Sequence, residues 1–268
     1  MAIALGSIIK SAEKRPPIIC VYGVGGIGKT TFASQSDKPI FVCVEDGLGV
    51  IDVPHFPVCK TFNEVIEALE VLAAEKHSYK TAVIDSLDWL ERLVVDHVCK
   101  MDGKSSLSDF EYGRGYIKAA DTWRQILDIL SYLRDSRQMT VISIAHSTIK
   151  TFSPPELPPY ERYQLKLDEK RVAPLVVEHA DVVLFANYKV DVRSSTGAGF
   201  NKKNKAYGTG ERRVFTVELP SHVAKNRFAM DEVLPLDWNA VAEQIPWFQT
   251  TDKQTADKQT ADKKGETK

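Results

Sequence analysis

The chain lacks any apolar run near the ~18–20 residues that a membrane span requires, and its first residues lack the hydrophobic core of a signal peptide. Net charge is also nearly absent: 35 Lys and Arg against 36 Asp and Glu leave −1. A polyanion would therefore be held by a local basic patch, not by a global field. Cysteine is sparse. Cys20, Cys43, Cys59 and Cys99 stand far apart without a CxxC pair, which excludes a disulfide framework or a zinc knuckle. Cys20 and Cys43 fall in apolar runs and read as buried thiols in a reducing cytoplasm. The histidines show no metal-ligand spacing. Residues 250–268 (TTDKQTADKQTADKKGETK) hold no aromatic or branched aliphatic side chain, so burial cannot offset their ordering entropy. They read as a low-complexity disordered tail behind one domain spanning 1–249.

What is present is an alternation of apolar strands and helical periods. Residues 18–22 (IICVY), 40–44 (IFVCV), 81–84 (TAVI), 140–145 and 182–186 (VVLFA) read as strands. Helices are expected over 30–35, 62–75, 87–100 and 116–137; in the second, Val65, Ile66, Leu69 and Leu72 share one face. Fully apolar strands separated by helices imply an α/β fold with a mostly parallel central sheet covered on both faces. After Ala186 the pattern turns hairpin-like (188–192, 214–219), an antiparallel C-terminal extension of the same sheet.

Gly23-Val24-Gly25-Gly26-Ile27-Gly28-Lys29-Thr30 fits two patterns, the dinucleotide fingerprint GxGxxG and the phosphate loop GxxxxGKT. Glu45, past the next strand, even suits a ribose-binding acid. Lys29 and Thr30 decide for the phosphate loop. A lysine directly after the last glycine reaches the β- and γ-phosphates of ATP, and the next hydroxyl ligates Mg²⁺. Loop amides, with those of Thr30 and Thr31 at the helix start, supply the remaining anion binding. Asp85 ends the apolar strand TAVID, where a Walker B carboxylate holds the Mg²⁺ shell; capping the next helix is its alternative role, one Ser86 or Asp88 would fill equally well. The residue after Asp85 is serine, so the base that activates water must lie elsewhere. Glu45 at the carboxyl end of the second strand is the candidate, with Asp46 its rival and a solvated turn acid the plain alternative. His146 ends the fourth strand (VISIAH) at the same edge and suits a γ-phosphate sensor.

This order of motifs resembles the RecA/RadA-type recombinase core, and is most similar to the small core-only phage ATPases that act as ATP-dependent single-strand annealing proteins. The likeness covers roughly residues 15–240. It is carried by GVGGIGKTT, by VEDG around Glu45, by VIDS at Asp85, by SIAH where the family usually has a glutamine sensor, by EHADVVLFANY, and by VAKNRFAM. The last is similar to a lysine-rich segment that reaches the γ-phosphate bound by a neighbouring subunit. The resemblance implies an ATPase with a RecA-like core in a ring or filament, with Lys225 and Arg227 as trans-acting phosphate contacts. It leaves about fifteen residues ahead of the core as a polymerisation arm. It further implies single-stranded DNA as partner, a single-strand-binding protein as a second one, and the host cytoplasm as location for a phage-encoded chain.

Two segments correspond to that family's DNA-lining loops, 102–115 and 147–172. The second reads as a long loop with Phe152, Tyr160 and Tyr163 beside Lys150, Arg162 and Lys166, the aromatic and cationic mix that single strands use. Its charge is near balance, five basic against four acidic residues. The stretch 189–213 is more basic, seven against two, and GAGFNKKNKAYGTG reads as a hairpin tip able to follow phosphates. A solvated charged loop is the bland alternative. The rival functions are a small-molecule phosphotransferase, against which no arginine-rich lid is evident, and a nucleotide switch that recruits a replication or recombination partner.

Overall fold

The computed structural model describes residues 14–194 and 204–249, with the side chains of 191–209 outside the description. The expected tail, the N-terminal arm and the tip of the basic hairpin lie outside the described residues.

Five parallel strands form the centre: β1 (Ile18–Gly23), β2 (Pro39–Cys43), β3 (Thr81–Asp85), β4 (Thr140–Phe152) and β6 (Val182–Ser194). The sheet order is β2-β3-β4-β1-β6, continued antiparallel by β7 (Asn204–Phe215) and β9 (Val233–Pro235). The short β8 (Lys225–Asn226) pairs with the start of β6. Alternation along β1 divides the core. Ile18, Cys20 and Tyr22 pack toward α2 (Phe62–Ala74), α3 (Leu87–Met101), α4 (Arg114–Arg137) and α5 (Val172–His179). Ile19 and Val21 face α1 (Lys29–Ser34) and α6 (Trp238–Ala242). Central strands buried on both faces are why their sequence reads as unbroken apolar runs.

The expected strands and helices are found within a few residues, and the C-terminal extension is antiparallel as expected. Three details differ. Residues 147–172 are not a long loop: β4 continues to Phe152 and pairs antiparallel with β5 (Tyr160–Leu165), from Phe152 opposite Tyr160 to Ser147 opposite Leu165. Four prolines at 154, 155, 158 and 159 break the chain at the hairpin tip. The stretch 102–115 contains two 3₁₀ turns (Leu107–Asp109 and Glu111–Gly113), and α4 starts at Arg114. The segment 188–192 is the second half of β6, not a separate strand, and β7 stops at Phe215.

The order matters for function because β4 sits between β1 and β3. Gly23 is level with His146, and Ile144 with Asp85. The carboxyl ends of β1, β3 and β4 thus deliver the phosphate loop, Asp85 and His146 to one edge, where open α/β sheets bind ligands.

Candidate nucleotide site

At Gly23, the last residue of β1, no side chain fits: a Cβ would stand 2.2 Å from the Ala186 carbonyl of β6. The loop then turns back into α1 at Gly28, whose φ of +103° lies in the left-handed region that favours glycine. Lys29 folds over the loop, donating from Nζ to the carbonyls of Gly23 (3.1 Å) and Val24 (3.0 Å). Burial depresses its pKa, against the opposing pull of Asp85, Asp88 and Glu45. Thr30 donates from Oγ1 to Asp85 Oδ2 at 2.8 Å. Asp85 is buried, and desolvation lifts its pKa, with Glu45 adding to the rise and the Thr30 hydrogen bond and Lys29 resisting it. Glu45 Oε1 accepts from Ser86 Oγ at 2.6 Å.

One cavity of about 320 Å³ is lined by Gly26, Gly28, Lys29, Thr30, Glu45, Asp85 and His146. Thr31 borders it too. Residues far apart in sequence therefore meet in one cleft. Lys225 and Arg227 do not join it. Lys225 donates to the carbonyls of Val177 (2.7 Å) and Glu178 (2.9 Å) at the end of α5, and Arg227 pairs with Asp181 at 3.0 Å. Both lie at the amino edge of the sheet, since β8 is level with Val182 while the cradle is level with Ala186. Arg227, beyond Asn226, is thus about four residues of strand or about 13 Å from the cradle, and Lys225, level with Val183, three residues or about 10 Å.

Two residues at this site were not singled out from sequence. Asp88, in the first turn of α3, holds His146: its Oδ1 accepts from the backbone N–H at 3.0 Å, and Nδ1 of the ring lies 3.0 and 3.1 Å from its two oxygens. A carboxylate on Nδ1 leaves Nε2 as the free ring nitrogen of His146. Arg212, from β7, donates from Nη1 to the phosphate-loop carbonyl of Ile27 at 3.3 Å, and a Cβ on Gly28 would come within 2.7 Å of it. Sequence counted Arg212 only as part of a basic stretch, because its place beside the cradle follows from β6–β7 register, with Tyr188 opposite Arg212. Asp88 carried no separable signal beside the strand-end aspartate.

The residues present suit a triphosphate with a hard cation. A buried ammonium backed only by two carbonyls calls for anionic acceptors, and a hydroxyl beside a carboxylate is an all-oxygen donor pair suited to Mg²⁺. Among the described residues no cluster of three or more His, Cys, Asp or Glu forms a self-sufficient metal cage. This is expected of a cation held largely by substrate phosphates and water.

Fold and cleft together define a P-loop nucleoside triphosphatase domain. The particular family follows from comparison: residues 15–228 match the AAA domain family AAA_24, and the chain belongs to it. It is also similar to the SPbeta prophage-derived uncharacterized protein YorG of Bacillus subtilis (strain 168), 26% identical over 225 residues. That alignment covers 81% of this chain and 62% of the relative's length. No helix among the described residues is long and apolar enough to cross a membrane.

Proposed function

We propose that this protein is a RecA-like ATPase that binds single-stranded DNA and promotes homologous annealing or strand exchange. The observation that carries the ATPase part of this reading is the single cleft shared by Lys29, Thr30, Asp85, Glu45 and His146. Lys29 binds the β- and γ-phosphates, with the amides of 23–31 around them. Thr30 and Asp85 would hold Mg²⁺, which would neutralise charge on the phosphates. Glu45 orients a water toward the γ-phosphorus and takes its proton. The new P–O bond forms as the bond to the ADP oxygen breaks, giving ADP and phosphate. His146, held by Asp88, contacts the γ-phosphate and registers its loss through β4. Arg212 adds a cation from the same chain, and Lys225 and Arg227 serve a neighbour's cleft in a homo-oligomer.

Single-strand binding is supported by the β4–β5 hairpin that continues from His146. It carries Phe152 packed edge-on against Tyr160, exposed Ile149 and half-exposed Lys150, with the Arg162 guanidinium 3.9 Å from the Phe152 ring and paired with Glu218 at 3.0 Å. Aromatic faces with interleaved cations suit stacked bases and phosphates. The prophage origin of YorG fits a phage recombination role, with the host cytoplasm as location and a single-strand-binding protein as a further partner.

The test is mobility of labelled single-stranded DNA with ATP, with ADP and without nucleotide, alongside hydrolysis with and without that DNA. The expected result is retardation strongest with ATP and faster hydrolysis with DNA. Hydrolysis indifferent to DNA, with no retardation in any nucleotide state, overturns the DNA assignment and leaves an ATPase of another kind.

A further inference from the structure

A cavity of about 730 Å³, more than twice that over the phosphate loop, lies on the α3–α4 side of the sheet beneath the β4–β5 hairpin. Its volume falls in the range of small-molecule sites. Val95 and Leu107 give it an apolar floor, with the fully buried Trp123 packed behind them. The Trp123 indole N–H has no hydrogen-bond partner among the described residues. Tyr116 stands at the wall with the Arg171 guanidinium 5.3 Å from its ring. Opposite, the Glu91 carboxyl accepts from the Asp168 backbone N–H at 2.9 Å, and burial raises its pKa to about 7. At neutral pH such a group both donates and accepts.

The lining carries four basic and four acidic side chains, and the two lysines at the mouth are each ion-paired. Lys150 lies 3.5 Å from Glu169, and Lys166 lies 3.9 Å from Asp88, with both lysine side chains about half exposed. An apolar wall, a buried carboxyl beside it and half-exposed lysines at the mouth together suit a heterocycle bearing a phosphate. Asp88 belongs to both compartments, because the carboxylate that faces Lys166 here also grips His146 of the ATP cleft.

We propose that this cavity takes one nucleotide unit, its base against Val95 and Leu107 and its phosphate on Lys150 and Lys166, and that Asp88 couples its occupancy to the ATP cleft. The inference rests on the single-strand reading where the unit belongs to a DNA strand; a free nucleoside monophosphate carries the same chemistry.

The test compares, by fluorescence anisotropy, a labelled oligothymidylate with an abasic strand of equal length and charge, and measures dTMP binding by calorimetry. The variants are Val95→Phe, which fills the floor from a half-buried position, and the rim pair Lys150→Ala with Lys166→Ala. The wild type binds the base-bearing strand at least tenfold more tightly than the abasic one, the single base in the cavity accounting for about tenfold. Val95→Phe, at unchanged melting temperature, narrows that preference by about tenfold, the share of the one base the cavity holds. Should Val95→Phe fail to fold, the rim pair decides, since it weakens base-bearing strand and dTMP alike. Saturable dTMP binding that survives Lys29→Ala but not Val95→Phe identifies free nucleotide as the ligand, even where no strand binds and the DNA reading falls. Equal affinity for both strands together with no dTMP binding overturns the cavity assignment while leaving DNA binding intact. No binding of any probe overturns both. ATP and the cavity ligand tighten each other by one common factor, of order fivefold; a factor unchanged in Asp88→Asn removes Asp88 from the coupling.

Discussion

Arg212 and Lys29 approach the phosphate loop from opposite chemical situations. Lys29 is buried and its ammonium is penalised for it, so phosphate oxygens offset a cost already present in the fold. Arg212 is exposed, pays little desolvation, and spends one N–H on the Ile27 carbonyl. A charge-assisted hydrogen bond to phosphate contributes ~1.5–3 kcal/mol, and exposure places Arg212 at the low end. Arg212→Ala is therefore expected to weaken ATP binding about tenfold, with melting temperature little changed; calorimetric titration checks it. Glu91 makes a different residue-scale prediction. Its carboxyl is raised from 4.5 to about 7, chiefly by burial, so the folded chain holds a proton that the unfolded chain has released over that interval. The stability this adds is fully present below pH 4.5 and is lost as pH rises through about 7. The displacement corresponds to roughly 3 kcal/mol as an upper figure. Denaturant midpoints measured from pH 4.5 to 8 should fall with rising pH, and Glu91→Gln should flatten that slope.

At the scale of elements, what sequence revealed and what it hid have separate causes. The strands at 18–23, 39–43 and 81–85 were legible because parallel strands buried on both faces leave no polar position to blur the run. The phosphate loop was legible because its chemistry is local in sequence. The β4–β5 hairpin was not. Its tip holds four prolines, and Tyr160–Leu165 (YERYQL) mixes charge with aromatics on an edge strand, so neither periodicity nor hydrophobicity marked a strand. Lys225 was legible as a residue but not as a contact. In the fold its ammonium closes α5, donating to the carbonyls of Val177 and Glu178 that the helix end leaves unpaired. Removing a partner from helix-end carbonyls costs about 1 kcal/mol, so Lys225→Met should lower stability by that order in equilibrium unfolding of the isolated chain. A stability unchanged by Lys225→Met would show that solvent serves those carbonyls as well, freeing the lysine to act elsewhere.

For the whole molecule, the amino and carboxyl edges of the sheet divide the candidate cations. Lys29 and Arg212 serve the chain's own cradle, whereas Arg227 sits at the opposite edge against Asp181, with half of its side chain exposed. A cation about 13 Å of strand away contributes to hydrolysis only if another copy brings it to a cleft. That requirement has a consequence for mixtures of variants. Glu45→Gln disables a chain's own water activation but leaves its Arg227 available, and Arg227→Ala does the reverse. Each variant alone should turn over slowly. Mixed in equal amounts, about one interface in four pairs an intact cleft with an intact Arg227, so turnover should recover to about a quarter of wild type. The recovery should vanish on dilution, because it depends on association. Steady-state phosphate release across mixing ratios measures this directly. A mixture no faster than the mean of its components, or an Arg227→Ala chain that hydrolyses at the wild-type rate by itself, removes Arg227 from any neighbour's cleft. Its partnership with Asp181 would then be a structural one, tying β8 to the start of β6.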